Sequence, residues 1–528
     1  MTFKNTLIAY SEKRVLSVFC LGIASGLPWV MIGSALTLWL QERGLSRADI
    51  GYSGLIFACF ALNFLWSPLV DRITPRLAFL NLSDRQQWII GCQLIMALCC
   101  LTLAGYGSEC SAKTVVLIAL IISLCAATQD IAIDAYRIDS FAPAEQHYTT
   151  LAAGAATAGW WTGYACLGFV PLWLSDRGWS WPQLYGLLGG VVGAILMLSY
   201  RLPAPRFRQP ARTDLEHQHY CALASTLGAC KKLALLCGLF SPFIVAAWAT
   251  LGSAGMPEHL RKHGAYIPVI IGFGLLLFCA TALMLQRWMN SARAVETIEG
   301  SVSATDTVLA RLSAALIEPL RDFFQRNGHQ LALKILLFIF LFKIGEAFLG
   351  KMSIVFYKEI GFSNTDIATY SKFLTWWVTV IGALAAGALN ARIGLIRGLL
   401  ISGIAMAGSN LMFAWIALVG PSIPLYIATI VVDGLATAWS LVAFVAFISV
   451  LCNHRFSASQ YALFASLGAL SRTTLSSTSG QLVDWLGGNW SLFFVITALM
   501  IIPSLILLFN VSQDSTFTSS NTKYTKRL

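Results

Sequence analysis

Apolar stretches of about 20 residues, the length that spans a bilayer as an α-helix, recur from Val15 to Asn510. Helices and closed barrels alone satisfy every backbone polar group in hydrocarbon. Charged residues make up 12% of the 528 residues, about half the share found in soluble chains. The sequence therefore predicts an all-α polytopic membrane protein.

The apolar stretches form two groups of six predicted helices, separated by a long insertion. The insertion holds two further apolar runs between 232 and 286, which predict an inserted transmembrane hairpin and about 14 spans; re-entrant segments are the alternative. The helices are predicted near residues 15–40, 49–70, 87–106, 114–137, 152–174, 182–200, 334–354, 366–389, 396–419, 423–449, 459–482 and 491–510.

This pattern divides the chain into four predicted units. They are an N-terminal six-helix bundle (1–200), a linker with the hairpin (201–333), a C-terminal six-helix bundle (334–512) and a tail (513–528). Within the linker, residues 307–327 repeat leucine and phenylalanine at helical spacing, which predicts an amphipathic helix on the inner membrane surface.

The net charge of +11 does not indicate nucleic-acid binding, because the basic residues lie in loops between predicted helices. They concentrate on the side of the predicted helices that carries the N-terminus. By the positive-inside rule this side is cytoplasmic, which predicts that both termini lie in the cytoplasm.

The two groups of helices carry similar motifs in the same order. GLSRADI at 44–50 resembles GFSNTDI at 361–367, and each opens the second helix of its group. Such parallel repeats are typical of the two six-helix bundles of a major facilitator transporter, which hold the substrate between them near the bilayer midplane.

The loop after the second helix of each group resembles the facilitator loop motif G-x3-D-[RK]-x-G-x-[RK]-[RK]. The first copy has Asp71 and Arg72, whereas the second has Ala391 in place of the acidic residue, followed by Arg392. The resemblance implies a gating role for Asp71, Arg72 and Arg392.

In the predicted fourth helix, Asp130, Asp134 and Arg137 lie on one face. A carboxylate in the bilayer core costs about 3 kcal/mol on insertion scales, so these side chains are expected to face a polar cavity or the membrane edge. Asp130 and Asp134 are candidates for exchanging a proton as access alternates. The alternative is a charge cluster closing the cytoplasmic gate, which is favoured for Arg137 and Asp139.

Lys343 and Glu346 lie three residues apart in the predicted seventh helix, with Lys351 two turns beyond Lys343. The lysines could bind the carboxylates of an anionic glycopeptide, and Glu346 is a second candidate for proton exchange. A neutralised intrahelical pair is the alternative. Arg472, in the predicted eleventh helix, is a candidate for binding an anionic group.

Four further residues are candidates for substrate contact. The backbone at Gly26, in Gly26-Leu27-Pro28, could line a cavity, although a packing kink is equally compatible. Gln129 could bind sugar or peptide amides, or link helices. Trp160 and Trp161 could stack on sugar rings, or belong to an interfacial belt.

The motifs of energy-coupling and hydrolytic enzymes are absent from the sequence. It contains no G-x-x-x-x-G-K-[ST], no H-E-x-x-H and no G-x-S-x-G. Its cysteines lack the spacing of a metal site. We therefore expect no enzyme activity, no cofactor and no metal.

Most of the chain outside residues 205–310 resembles the AmpG family of muropeptide permeases. The resemblance rests on Gly22-x3-Gly26-Leu27-Pro28, Phe64-Leu-Trp-Ser-Pro-Leu-Val-Asp71-Arg72, the Arg85 to Gln93 region, Ala127-Thr-Gln-Asp130-Ile-x2-Asp134-Ala, Pro319-Leu-Arg-Asp-Phe-Phe-x-Arg-Asn327, Lys343-x-Gly-Glu346-Ala-Phe and Phe456-Ser-Ala-Ser-Gln460. Two features depart from the family: Glu346 stands where relatives also use Asp, and an internal hairpin replaces the extra C-terminal helices of some members.

This resemblance implies a proton-coupled symporter of the bacterial inner membrane, importing 1,6-anhydro-muropeptides for peptidoglycan recycling. The expected partners are the glycopeptide, protons and the bilayer, with a monomer sufficient for transport. Another amphiphilic anion such as a siderophore remains an alternative substrate, because one fold serves different solutes. A non-transporting membrane sensor on the same scaffold is the second alternative.

Overall fold

The structure is a computed structural model that describes residues 8–44, 54–73, 75, 82–106, 111–175, 177–207, 318–362, 366, 370, 374–476 and 479–513. All regular secondary structure in these residues is helical. This confirms the all-α prediction for the described part of the chain.

In the described residues we number twelve helices, α1 to α12, and six of them are interrupted. The continuous helices are α3 (Asp84–Tyr106), α4 (Ala112–Asp139), α6 (Trp181–Tyr200), α8 (Thr375–Ile393), α9 (Leu395–Val419) and α10 (Ile423–Leu451). The interrupted helices are α1 (Lys13–Gly26, Val30–Ala35 and Leu36–Glu42), α2 (Gly54–Phe57, Ala58–Leu62, Asn63–Leu65 and Ser67–Arg72), α5 (Gln146–Trp161, Thr162–Cys166 and Leu167–Ser175), α7 (His329–Leu341 and Ile344–Ile360), α11 (Ser457–Ser476 and Ser479–Trp485) and α12 (Trp490–Leu499 and Ile502–Gln513).

Eight of the helices in the described ranges are long and apolar enough to cross a membrane by length and composition. The hairpin predicted within 232–286 lies outside the described residues, so the total number of spans remains a prediction. Of the predicted amphipathic helix, only residues 318–327 are described, and they are helical; we call them the linker helix.

The helices pack as two groups. In the first group, α3 packs on α4 and α6, and α1 packs on α5. In the second group, α10 packs on α8 and α9, and α12 packs on α7 and α9. Each group has its own apolar core, with Met31 and Leu184 in the first and Phe338 and Phe447 in the second.

Small residues allow α1 and α5 to cross closely. A Cβ on Gly22 would lie 2.6 Å from the Ala156 carbonyl oxygen, and one on Gly159 would lie 2.2 Å from the Phe19 carbonyl oxygen. A larger residue at either position would therefore separate the helices. Both α1 and α5 continue from this crossing into a π-helical segment, Val30–Ala35 and Thr162–Cys166 respectively.

The two groups meet mainly at one end of the molecule. There the first segment of α5 packs on α8 and α10, and the first segment of α11 packs on α2 and α4. We call this the linker end, because residues 201–207 and 318–328, which flank the rest of the linker, lie on this side, with Phe207 bound to Asp139 and Glu318 to Arg72. The opposite ends of α4 and α7 are Ala112 and Ile360.

Candidate functional site

The carboxylates of α4 lie where the sequence predicts, on one face of the helix. Asp134 forms an ion pair with Arg137 at 3.0 Å, and their side chains are 26% and 5% exposed. Asp130 lies one turn further from the linker end, within interaction distance of Ser25 in α1 and of Asp134. Its Oδ1 atom is buried without a hydrogen-bond partner in the described residues, so this carboxylate is only partly satisfied.

Arg137 joins the two groups of helices. Its guanidinium lies 4.9 Å from the ring centre of Tyr461 in α11, and its Nη2 donates to Ser449 Oγ in α10 at 3.4 Å. The ion pair with Asp134 is therefore attached to the second group. A change in the contact between the groups would alter the environment of both charges.

Arg85, at the start of α3, is the centre of a buried network at the linker end. It is 1% exposed and donates to Asp71 Oδ1 at 2.7 Å and to Asp139 Oδ2 at 3.1 Å. It also donates to the Val70 carbonyl oxygen at 2.8 Å and to Ser457 Oγ at 3.0 Å. One cation thus bridges two buried carboxylates and contacts the second group.

Asp71 also binds the start of α11 directly. Its Oδ2 accepts from the Ser459 backbone N–H at 2.9 Å and from Ser459 Oγ at 2.6 Å, and its Oδ1 accepts from the Ala458 N–H at 3.3 Å. The first N–H groups of a helix have no partner within the helix and favour negative charge. This carboxylate therefore links the two groups as a helix cap.

The linker helix adds a second connection between the groups. Arg72 at the end of α2 donates to Glu318 Oε2 at 2.8 Å. Further along the linker helix, Asp322 accepts from Asn453 at 3.1 Å and from Gln460 at 2.9 Å. Arg392, at the end of α8, is exposed.

The loop between α4 and α5 is held by α1 on the same side. Arg14 forms an ion pair with Glu145 at 3.0 Å and donates to the Ser140 carbonyl oxygen at 3.1 Å. Burial raises the pKa of the Glu145 carboxyl, but the hydrogen bonds from Arg14 and from the Ala142 N–H, together with the charges of Arg14 and His147, outweigh it and lower the pKa overall. This end of the molecule is therefore dense in ionic contacts.

The second group holds a charge cluster in its interior. Lys343 is 2% exposed; its Nζ donates to Glu346 Oε2 and, at 2.6 Å, to Ser440 Oγ. Asp433 in α10 accepts from Ser409 at 2.8 Å and interacts electrostatically with Lys343 and Glu346. Arg472 in α11 is exposed and close enough to repel Lys343.

The substrate candidates of the first group differ in exposure. Gly26 is buried, and its Cβ would lie 2.1 Å from the Trp160 carbonyl oxygen, which supports the packing alternative. Gln129 is fully buried and donates to the Ala24 carbonyl oxygen at 2.9 Å, which supports its alternative as a link between helices. Trp160 and Trp161 are partly exposed. In the second group, the side chain of Lys351 lies outside the described residues.

Two residues of these clusters were missed by the sequence reasoning. Arg85 was noted only as the start of a segment that resembles the family, yet a cation at the start of an apolar helix requires partners when it is buried. Asp433 is a lone carboxylate inside an apolar stretch, and that alone is a signal of function or pairing. The described residues contain no cluster of potential metal ligands.

Comparison with known proteins identifies the fold and its relatives. A family model described as Major Facilitator Superfamily matches residues 18–315. The chain is 27% identical over 501 residues to "Putative transporter AmpG 4" of Rickettsia felis, covering 94% of this chain and 96% of that protein. It is 25% identical over 521 residues to "Anhydromuropeptide permease" of Escherichia coli K12, covering 98% of this chain and 84% of that protein.

Solved structures agree at the level of the fold. A crystal structure of a double Trp mutant of XylE superposes with a TM-score of 0.58 and 14% identity, covering 98% of this chain and 99% of that chain. A second structure, titled as the proton:xylose symporter XylE, gives a TM-score of 0.54 at 13% identity, with 96% of both chains covered. The predicted fold class and the resemblance to AmpG-type transporters are confirmed.

Proposed function

We propose that this chain, which belongs to the Major Facilitator Superfamily, imports 1,6-anhydro-muropeptides across the bacterial inner membrane together with protons. The substrate class follows from the similarity to AmpG-type proteins, one of which carries the name anhydromuropeptide permease. Import by this route would serve peptidoglycan recycling, and a monomer contains all the groups that the proposal needs.

The observation that best supports proton coupling is the environment of the Asp130 side chain. Its buried Oδ1 has no hydrogen-bond partner among the described residues, and Asp134 lies on the same face one turn away. Two neighbouring carboxylates, one of them shielded from water, favour binding of a proton at this site. Release of that proton would follow when the contacts of Arg137 with the second group change.

The charge cluster of the second group supports an anionic substrate. Arg472 is exposed within a membrane helix, where an unpaired cation facing lipid would be costly. Its side chain therefore faces the space between the groups, beside Lys343 and Glu346. Substrate carboxylates would bind Arg472 and compete with Glu346 for Lys343, which makes Glu346 the second proposed proton site.

The conformational part of the proposal is alternating access. The linker end is closed by Asp71, Arg85 and Asp139, with Arg137 bridging to α10 and α11. The positive-inside rule places this end in the cytoplasm, so the described conformation would receive substrate from the opposite side. Arg72 and Arg392 are the remaining proposed gating residues at this end.

The test is uptake of labelled anhydro-disaccharide tripeptide into proteoliposomes, with and without a pH gradient, acidic outside. The wild-type protein is expected to accumulate the glycopeptide only with the gradient. Asp130→Asn should abolish this accumulation while leaving exchange of substrate across the membrane at equilibrium, because the amide cannot bind and release a proton.

Asp484→Asn is the matched control, since Asp484 is an exposed carboxylate near the end of α11. It should accumulate substrate like the wild type. Equal accumulation with and without the gradient would refute coupling. If the glycopeptide does not enter under either condition, the substrate assignment is wrong.

A further inference from the structure

Six aromatic side chains of the first group of helices form a cluster around Trp29. The Trp29 ring centre lies 4.7 Å from that of Phe60, 5.0 Å from that of Phe57 and 5.8 Å from that of Trp160. Trp160 in turn stacks on Tyr164 at 5.2 Å. The members of this aromatic cluster, from α1, α2 and α5, are Trp29, Phe57, Phe60, Trp160, Trp161 and Tyr164.

The α5 members continue the surface that contacts the second group. Gly154 packs against Ala383 of α8, and Ala158 belongs to an apolar cluster shared with α8 and α10. Trp161 follows Ala158 by three residues and Gly154 by seven, so it lies on the same face of the helix. This face therefore turns toward the second group beyond the point of contact.

The α2 members have the same orientation. Asn63 contacts Ser466 of α11 at 3.3 Å between Oδ1 and Oγ. Phe60 precedes Asn63 by three residues, and Phe57 precedes Phe60 by three, which places them along one face of this helical region. The aromatic cluster is thus bordered by the second group on the side of the linker end and faces the space between the groups.

The aromatic cluster is not a closed core. Tyr164 is 37% exposed, and the other members are partly exposed. The indole Nε1 of Trp29 is buried without a hydrogen-bond partner in the described residues, although indole N–H groups usually find one when buried. The site thus offers ring faces and an unused donor.

The aromatic cluster and the charge cluster lie at similar depth. At 1.5 Å per residue, Trp29 and Trp160 are about 24 and 21 Å from the linker ends of α1 and α5. Lys343 and Arg472 are about 21 and 22 Å from the linker ends of α7 and α11. At this depth one group therefore carries the aromatic faces, and the other carries the exposed Arg472 and, paired with Glu346, the buried Lys343.

We infer that the aromatic cluster binds the pyranose rings of the substrate, while Lys343 and Arg472 bind the carboxylates of its peptide. This inference rests on the proposed function and adds the orientation of the bound substrate. The glycopeptide lies across the two groups of helices, with its sugar on the first group. The C–H face of a pyranose is apolar and packs on an electron-rich ring face.

Binding of two probes to the full-length protein in nanodiscs separates the two ends. The probes are the anhydro-disaccharide with its lactyl carboxyl capped as a methylamide, which carries no carboxylate, and the same disaccharide with its tripeptide. Trp29→Ala and Phe60→Ala should each raise the Kd for both probes by about tenfold, because each removes one ring face that the sugar would bury. Arg472→Gln should raise the Kd only for the probe with peptide, by a similar factor.

Trp415→Ala, at an exposed tryptophan of α9, is the control and should leave both affinities unchanged. Trp29→Phe should retain most of the affinity, because it keeps an aromatic ring face. Only variants whose melting temperature matches that of the wild type are compared. Unchanged disaccharide binding in both alanine variants, with glycopeptide uptake intact in the wild type, overturns this inference alone. If the wild type binds neither probe, the proposed function fails and the inference fails with it.

Discussion

At the level of single residues, two ion pairs of the described residues, one in α4 and one in α7, share an asymmetry. In each pair a buried cation is joined to a more exposed carboxylate three residues away: Arg137 and Asp134 are 5% and 26% exposed, and Lys343 and Glu346 are 2% and 22% exposed. The cation thus fixes the position of the pair. The carboxylate keeps access to the space between the groups, where protons and substrate arrive.

The pair in α7 can be tested by a double-mutant cycle. Glu346→Gln alone should lower the free energy of unfolding by about 1–3 kcal/mol, because it removes the carboxylate bound to the buried Lys343 ammonium and leaves only the electrostatic interaction with Asp433. Lys343→Met alone should lower the free energy of unfolding by less, since the Glu346 carboxylate that it leaves behind is partly exposed to water. The double variant should lose less free energy of unfolding than the sum of the losses in the two single variants. None of the three variants should transport.

Melting of the purified protein and uptake into proteoliposomes measure the two effects. Asp484→Asn again serves as the control for a carboxylate without a buried cation. Additive losses of stability would show that Lys343 and Glu346 are not energetically coupled. Uptake at the wild-type rate in Glu346→Gln would remove this residue from the mechanism.

The site residues predicted from sequence were those whose charge conflicts with their apolar surroundings. Asp130, Asp134, Lys343 and Glu346 were found in this way, and their roles remain predictions. Which partner satisfies each charge could not be predicted, because Ser25, Ser440 and Tyr461 come from other helices and carry no charge of their own.

At the level of helices, the contact between the two groups depends on small residues. A Cβ on Gly154 of α5 would lie 2.7 Å from the Ala383 carbonyl oxygen, and one on Gly387 of α8 would lie 3.0 Å from the Thr150 carbonyl oxygen. Tyr10 fixes the same crossing by donating to the Leu384 carbonyl oxygen at 2.6 Å. This crossing can form only while both glycines lack side chains.

Gly154→Val should therefore prevent the linker end from closing. Overpacking at a close contact costs about 1–3 kcal/mol, and here the two groups can relieve it by moving apart without unfolding. Uptake should fall at least tenfold. Ser449 is 4% exposed. A cysteine introduced at this position should react with a thiol reagent faster in the Gly154→Val variant than in the protein that keeps Gly154.

Gly190→Ala in α6 is the control for adding a side chain at a helical glycine, because a Cβ there meets nothing within 4 Å. It should leave both uptake and labelling unchanged. Labelling of Ser449→Cys at the parent rate in the Gly154→Val background would contradict the role given to this crossing.

The helices were largely predictable from sequence, whereas of their interruptions only the break at Gly26-Leu27-Pro28 in α1 was signalled by the residues. Runs of apolar residues fix where α3 or α9 must lie, because the bilayer imposes their length. The same runs carry no information on hydrogen-bond register, so the π-helical segments Val30–Ala35 and Thr162–Cys166 were not anticipated. The break at Lys343 in α7 depends on partners in α10 that are remote in sequence.

At the level of the whole molecule, the contacts between the two groups are concentrated at the linker end. Arg85 and Asp71 provide the ionic part, Gly154 and Gly387 the close helix crossing, and the linker helix a connection outside the helical groups. These contacts are far apart in sequence and act on the same surface. Opening this end requires that they separate together.

Cross-linking the closed end tests whether that separation is part of transport. In a protein lacking its 13 native cysteines, Asn63→Cys and Ser466→Cys would place two thiols on facing helices, since the native side chains lie 3.3 Å apart. A short, reducible thiol cross-linker should join α2 to α11 and abolish uptake, and a reductant should restore it. The single-cysteine variants, treated in the same way, should continue to transport. Uptake that persists in fully cross-linked protein would mean that substrate passes without the two groups parting here, which is incompatible with alternating access through the linker end.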